Sequence, residues 1–278
     1  MLLIELLKSL LYGIVEGITE WLPVSSTGHL IILGELWPLN VSDAFSEMYD
    51  VVIQLGAILA VIVLYFRKLN PFAPSKTAVE KKQTWSLWFR VVVAVIPSAV
   101  VGLLLDDWLD EHLYNYVTVA VALVVYGIAF IVIEKVKPSD SATVTDVYGI
   151  SYGRAFAIGA FQMLALIPGT SRSGSTILGA MLLGTSRGAA AEFSFFMAIP
   201  TMFGASLLKL VKLFADGVTV TGAEWGILAV GCVSAFAVSL CAIKFLTDFV
   251  KKHSFSSFGV YRILLGAAVL GYFLLLGR

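Results

Sequence analysis

The sequence predicts an all-α, polytopic integral membrane protein, organised as an inverted-topology repeat with six full transmembrane helices and two re-entrant helical hairpins. The first observation behind this is composition. Of 278 residues 59% are hydrophobic and only 14% are charged, where an ordinary globular domain has roughly a quarter charged. The second is a series of long apolar runs. Tyr116–Ile133 and Trp225–Ile243 carry no charged side chain, and each is close to the ~20 residues that cross a hydrocarbon core of about 30 Å. The third is a pair of apolar stretches broken in the middle by Pro, Gly, Ser and Thr.

Taken in chain order, residues 1–46 form the first broken stretch, and 47–66, 85–104 and 116–134 read as complete spans. A linker at 135–152 leads to the second broken stretch, 153–189, followed by spans at 190–214, 223–246 and 257–277. The N-terminus lacks a basic leader and a small-residue cleavage site before Glu16 and Glu20, so it reads as part of the mature fold.

Loop charge sets the expected orientation. Loop 67–84 holds Arg67, Lys68, Lys76, Lys81 and Lys82; 135–152 holds Lys135 and Lys137; 247–256 holds Lys251 and Lys252. Loops 105–115 and 215–222 hold no Lys or Arg, only Asp106, Asp107, Asp110, Glu111 and Asp216. The positive-inside rule therefore makes the first three loops cytoplasmic. With those sides set, each broken stretch must leave and return on one side, and the two have opposite orientation. The organisation expected is one membrane domain over 1–278, with repeat 1 at about 1–134, repeat 2 at about 153–278 and a cytoplasmic linker at 135–152. Pro23 and Pro168, 145 residues apart, and Glu47 and Glu192 at the same offset suggest the duplication.

Non-helical backbone at membrane depth is tolerated only where it is buried in protein or lines a wet cavity, since each unpaired amide facing lipid costs several kcal/mol. The two breaks should therefore meet around a polar cavity. In the first, Glu16 and Glu20 lie one helical turn apart on one face, followed by Pro23-Val24-Ser25-Ser26-Thr27-Gly28-His29. At the outer interface such carboxylates would merely be solvated; their nearness to Ser25, Ser26 and His29 argues for a site. Hydroxyls at the start of a short second helix suit an anion, because free backbone N–H groups and the helix dipole point there. His29 alone would read as a core or interface histidine, but beside Gly28 and Ser26 it becomes a candidate acid, base or nucleophile.

The second break reads Pro168-Gly169-Thr170-Ser171-Arg172-Ser173-Gly174-Ser175-Thr176. Small residues here could simply mark close helix packing, but that leaves Arg172 without a use. A guanidinium binds phosphate oxygens bidentately, and Thr170, Ser171, Ser173 and Thr176 would complete a cradle with Ser25 and Thr27. Two carboxylates, a hydroxyl, an imidazole and an arginine form a parts set for metal-assisted phosphoryl transfer, with Glu16 and Glu20 as oxygen ligands for Mg²⁺ or Ca²⁺.

Other classes fit poorly. Net charge is zero, with 19 basic and 19 acidic residues scattered between apolar runs, so no nucleic-acid partner is expected. Cys232 and Cys241 sit nine apart inside one apolar run and read as packing residues. His112 and His253 read as solvated. Small-residue faces such as Gly226 and Gly231 fit either internal packing or a homodimer contact.

At Glu16-Gly17-Ile18-Thr19-Glu20-Trp21-Leu22-Pro23-Val24-Ser25-Ser26-Thr27-Gly28-His29 and at Pro168-Gly169-Thr170-Ser171-Arg172-Ser173-Gly174 the chain resembles the undecaprenyl-diphosphate phosphatase family of the bacitracin-resistance (BacA) type. Glu192-Phe193-Ser194-Phe195-Phe196 and the overall length extend the likeness to essentially the whole chain. The resemblance implies a multi-pass enzyme of the bacterial inner membrane, using Mg²⁺ or Ca²⁺ in a site open to the periplasm. It would hydrolyse undecaprenyl diphosphate, and shorter isoprenyl diphosphates, to the monophosphate carrier of cell-wall synthesis, so conferring bacitracin resistance. It further implies Glu16, Glu20, Ser26, His29 and Arg172 as the functional set, with Ser171, Ser173 and Thr176 as phosphate contacts. The nucleophile stays open between Ser26, His29 and water. The competing reading is a lipid-phosphate flippase or secondary transporter, since inverted repeats with broken helices are also a transporter architecture.

Overall fold

A computed structural model of the chain describes residues 2–113, 115–136 and 142–276. The side chains of Asp106, Asp107, Asp110 and Lys251, and Lys137 as a whole, all used above to set orientation, lie outside that description. Among the described residues the secondary structure is α-helical apart from short 3-10 turns and one isolated bridge between Val144 and Thr185.

The first broken stretch is α1 (Leu2–Thr19) and α2 (Ser26–Leu36); the second is α8 (Tyr152–Met163), a 3-10 turn at Leu164–Leu166, and α9 (Arg172–Leu182). At 1.5 Å per residue α2 and α9 are each only about 17 Å long, about half a hydrocarbon core. Six longer units are long and apolar enough to cross a membrane, at Asp43–Leu64, Ala78–Leu105, Tyr116–Val136, Arg187–Ala215, Gly222–Val250 and Ser256–Leu275. They match the six expected spans to within a few residues at most ends, the main excess being seven residues at the start of the second. The first is α3 (Asp43–Val52) and α4 (Gln54–Leu64), interrupted at Ile53. A short α5 (Phe66–Leu69) precedes α6 (Ala78–Leu113) and α7 (Tyr116–Val136); α10 (Arg187–Ala215), α11 (Gly222–Lys252) and α12 (Ser256–Leu276) complete the chain.

Packing is pairwise and uses glycine where backbones must touch. The largest helix contacts are α7 with α12, α1 with α11, and α8 with α6. Gly13 of α1 abuts Gly231 and Ala235 of α11, Gly159 of α8 abuts Ala94 of α6, and Gly127 of α7 abuts Gly259 of α12. Without a hydrophobic drive between helices in lipid, such close approach is what dispersion contacts need. Gly159→Val is therefore expected to destabilise the fold by about 1–3 kcal/mol, because its side chain would meet the Ala94 carbonyl. Thermal unfolding in detergent checks this, with Gly153→Ala, where the space is open, as the unchanged control.

Gly231 also packs against Ser9 and Tyr49, so one of the two glycines considered for a homodimer contact serves the interior. Cys232 is half-buried beside the Val52 carbonyl, while Cys241 is exposed on α11. Cys241 thus departs from the packing role expected of both.

The three basic loops meet at one end. Lys68 pairs with Glu192 at 2.8 Å and lies 3.9 Å from Asp146, joining loop 67–84 to the linker. Glu134, nearly buried, accepts from Arg187 Nε and Nη2 and from the backbone N–H of Phe255, tying α7 and α10 to loop 247–256.

Candidate active site

The two breaks share one local geometry. Ser25 and Ser171 each cap the following helix, both at φ 72°, and each side-chain oxygen accepts from the backbone N–H three residues on, Gly28 or Gly174. A left-handed φ is unfavourable for a residue with a Cβ, by roughly 1–3 kcal/mol, and its presence at both caps points to a geometry the surroundings hold in place. The caps lie 146 residues apart, one more than the offset read from the two prolines. The second break thus has one more residue between its proline and its cap, with Gly169 at φ 88°; Glu47 is exposed and Glu192 is ion-paired.

Each cap starts a helix whose first residue is one of the predicted site residues, Ser26 on α2 and Arg172 on α9. Glu20, the first residue past α1, joins them. Its Oε2 accepts from Ser26 Oγ at 2.7 Å and its Oε1 from Arg172 Nη2 at 2.8 Å. Arg172 also donates from Nη1 to the Ser194 carbonyl and hydroxyl, and its guanidinium lies 5.8 Å over the Trp21 ring. Trp21 is fully buried and packs edge-on against Phe195. The Arg172 Nε has no protein partner.

Glu20, Ser26, Thr27, Ser171 and Arg172 line one cavity of about 380 Å³ together with Gln54. Its other wall is apolar: Val95, Ala99 and Leu103 from α6, Leu166 before the second break, and Ala205 and Leu208 from α10. The lining also holds a neutral polar group in which Gln162 Nε2 donates to Ser98 Oγ and Thr201 Oγ1. The cavity thus combines a carboxylate, a guanidinium and hydroxyls with a mostly apolar lining, a combination that suits an amphiphile with a polar head.

The remaining predicted residues are placed differently. Glu16 is fully buried, outside the cavity lining, and neither of its carboxylate oxygens has a hydrogen-bond partner. His29 is turned away from the cavity: Nδ1 is 2.7 Å from the Ser25 carbonyl, Nε2 is 2.7 Å from the Tyr261 hydroxyl, and the two rings stack. Three residues after Ser26 on a helix of 3.6 residues per turn, it faces about 60° away from it. Ser173 donates to the Glu20 carbonyl, Thr176 bonds the Arg172 carbonyl and Ser194 Oγ, and Thr170 is wholly buried. These three shape the break from inside protein, and none lines the cavity.

Sequence reasoning missed Gln54, Asp50, Ser194 and Arg262. Gln54 and Asp50 fall inside what reads as an uninterrupted span, one turn apart, with Asp50 Oδ1 buried and unpartnered. An ionisable residue within an apolar run is a signal that was available. Ser194 falls in the Glu192–Phe196 run of the family likeness, which gives no sign of its bond to Arg172.

Fold and site together define a polytopic membrane protein with a cavity at two broken helices, lined by a carboxylate, a guanidinium and hydroxyls. Residues 9–268 match the family model described as "Bacitracin resistance protein BacA", and the chain belongs to that family. It is 58% identical over 272 residues to an undecaprenyl-diphosphatase of Streptococcus pyogenes serotype M4 (strain MGAS10750), covering 98% of each chain. It is 59% identical over 270 residues to an undecaprenyl-diphosphatase of Streptococcus thermophilus (strain ATCC BAA-250 / LMG 18311), covering 97% of this chain and 94% of the relative.

Proposed function

We propose that this chain hydrolyses undecaprenyl diphosphate, the substrate named for its relatives, and also shorter isoprenyl diphosphates, to the monophosphate and inorganic phosphate. The observation that carries the reading is Glu20 joining Ser26 and Arg172 in the lining of a largely apolar cavity. Ser26 Oγ attacks the terminal phosphorus while its proton passes to Glu20. The bond to the bridging oxygen breaks, and the lipid leaves as its monophosphate. Arg172 balances charge on the equatorial oxygens, joined by N–H groups at the start of α2 and α9. Water then attacks the phosphoserine, releases phosphate and restores the hydroxyl. His29, held between Ser25 and Tyr261, supports the turn that carries Ser26.

The family resemblance implies Mg²⁺ or Ca²⁺, and the donors fit such an ion in part. Glu16 offers two buried, unpartnered oxygens, whereas both Glu20 oxygens are engaged. Among the described residues no group of three Asp, Glu, His or Cys side chains is placed to hold a metal. That pattern suits an ion bound by one or two carboxylates plus substrate phosphate oxygens, with Glu16 and Glu20 as the ligands. When bound, it would supply positive charge to the phosphate oxygens.

The two breaks are read as re-entrant hairpins in halves of opposite orientation, supported by the paired caps of α2 and α9 and the matched α1–α11 and α8–α6 packing. The end with the basic loops is read as cytoplasmic, in the inner membrane, and the site as reached from the periplasm. The apolar wall would admit the isoprenyl chain from the bilayer. The relatives' names favour hydrolysis over the flippase alternative.

Purified protein is expected to release phosphate from farnesyl diphosphate and undecaprenyl diphosphate in detergent, and to stop on addition of EDTA. Absence of release from folded protein that still binds the lipid would sink the reading.

A further inference from the structure

Arg262 of α12 is fully buried, and among the described residues it forms no salt bridge with an acidic group. It bonds instead to backbone carbonyls of both breaks. Nη1 donates to the Pro23 carbonyl at 3.2 Å, and Nη2 donates to those of Gly169 and Thr170, both at 2.9 Å. Pro23 and Gly169 each lie two residues before a left-handed serine cap. The guanidinium also lies 5.7 Å over the Tyr126 ring of α7, the helix most closely packed on α12. A buried charge without a counter-ion is costly, so the placement calls for a use.

We propose that Arg262 is a positioning residue for the phosphoryl transfer: a single planar side chain, anchored on the α7–α12 pair, that pins the first and second breaks to each other and so sets Ser26 against Arg172. The proposal rests on the function read above. A guanidinium suits the task because its donors are rigidly spaced and reach two separate strands of backbone at once. The only other side-chain bonds joining the two breaks, among those described, are Arg172 to Glu20 and Ser173 to the Glu20 and Leu22 carbonyls. Those come from within the breaks, whereas Arg262 ties them to the surrounding fold. Its charge also stands behind the start of α9, close to Gly174, where an anionic ligand would offset it.

The test compares wild type with Arg262→Gln and Arg262→Lys in detergent, reading farnesyl diphosphate hydrolysis and backbone hydrogen exchange. For Arg262→Gln the expectation is at least a 100-fold fall in kcat with KM within fivefold. Exchange should quicken at least tenfold in peptides covering 20–30 and 166–176 together, with α6 and α8 unchanged. Arg262→Lys should fall between it and wild type, and gives the same readouts if Arg262→Gln does not fold. Exchange unaltered at the breaks, or raised at only one of them, overturns the clamp. So does a tenfold rise in KM with kcat kept, which would make Arg262 a direct ligand of the phosphate. Wild type without hydrolysis would overturn the phosphatase reading alone, since the exchange result still decides the clamp.

Discussion

Arg172→Ala is expected to lower kcat for isoprenyl diphosphate hydrolysis by about 10³-fold, the scale of losing a charged donor to a transferring phosphoryl group. The substitution acts twice. It removes the cation that faces the phosphate, and it leaves Glu20, only 6% exposed, as a buried carboxylate without its partner. Breaking a buried pair on one side costs about 3–5 kcal/mol, so the thermal midpoint should fall as well. Arg172→Lys separates the effects. A lysine keeps the charge and can meet Glu20, but it cannot also hold the Ser194 carbonyl and hydroxyl as the planar guanidinium does. It should recover most of the stability and little of the rate. A lysine variant with full activity would mean that the guanidinium geometry is irrelevant to the reaction.

The second large effect is at the hydroxyl and its acceptor. Ser26→Ala should lose at least about 10³-fold in kcat, and Glu20→Gln about 10²- to 10⁴-fold as a lost general base. Because the two share one 2.7 Å hydrogen bond, the double variant should be scarcely worse than Ser26→Ala alone. Acid quench of wild type with substrate labelled on the terminal phosphate should trap phosphoserine at Ser26. Acid-labile label on His29 would instead require the imidazole, now bonded to Tyr261, to swing into the cavity. Retention of activity in Ser26→Ala with no trapped label would leave direct attack by water.

How far the sequence reached depended on the kind of signal. The six spans were legible because apolar length is a local property, and Asp43–Leu64 and Tyr116–Val136 differ from the expected bounds by only a few residues. The breaks were legible because Pro, Gly and clustered hydroxyls disrupt an apolar pattern. The grouping of Glu20, Ser26 and Arg172 followed from the requirement that disrupted backbone be buried in a shared interior. Rotation about the helices was beyond reach. His29 lies within about 60° of Ser26 around α2, yet its ring is taken by Tyr261 of α12; Thr176, one turn on from Arg172, bonds the same Ser194 hydroxyl as Arg172 but does not line the cavity. The two caps lie 146 residues apart and the two prolines 145, so the proline spacing does not by itself give the spacing of the caps.

Sequence alone therefore determined the membrane class, the number of spans, the two breaks and the polar residue types gathered at them, all written in runs of neighbouring residues. Tertiary structure decided which of those side chains share the cavity, that Gln54 joins them from a span interrupted at Ile53, and that Arg262 reaches carbonyls 239 and 93 residues away. Those contacts depend on how helices far apart in the chain are rotated and packed against one another, and no local pattern of amino acids encodes that.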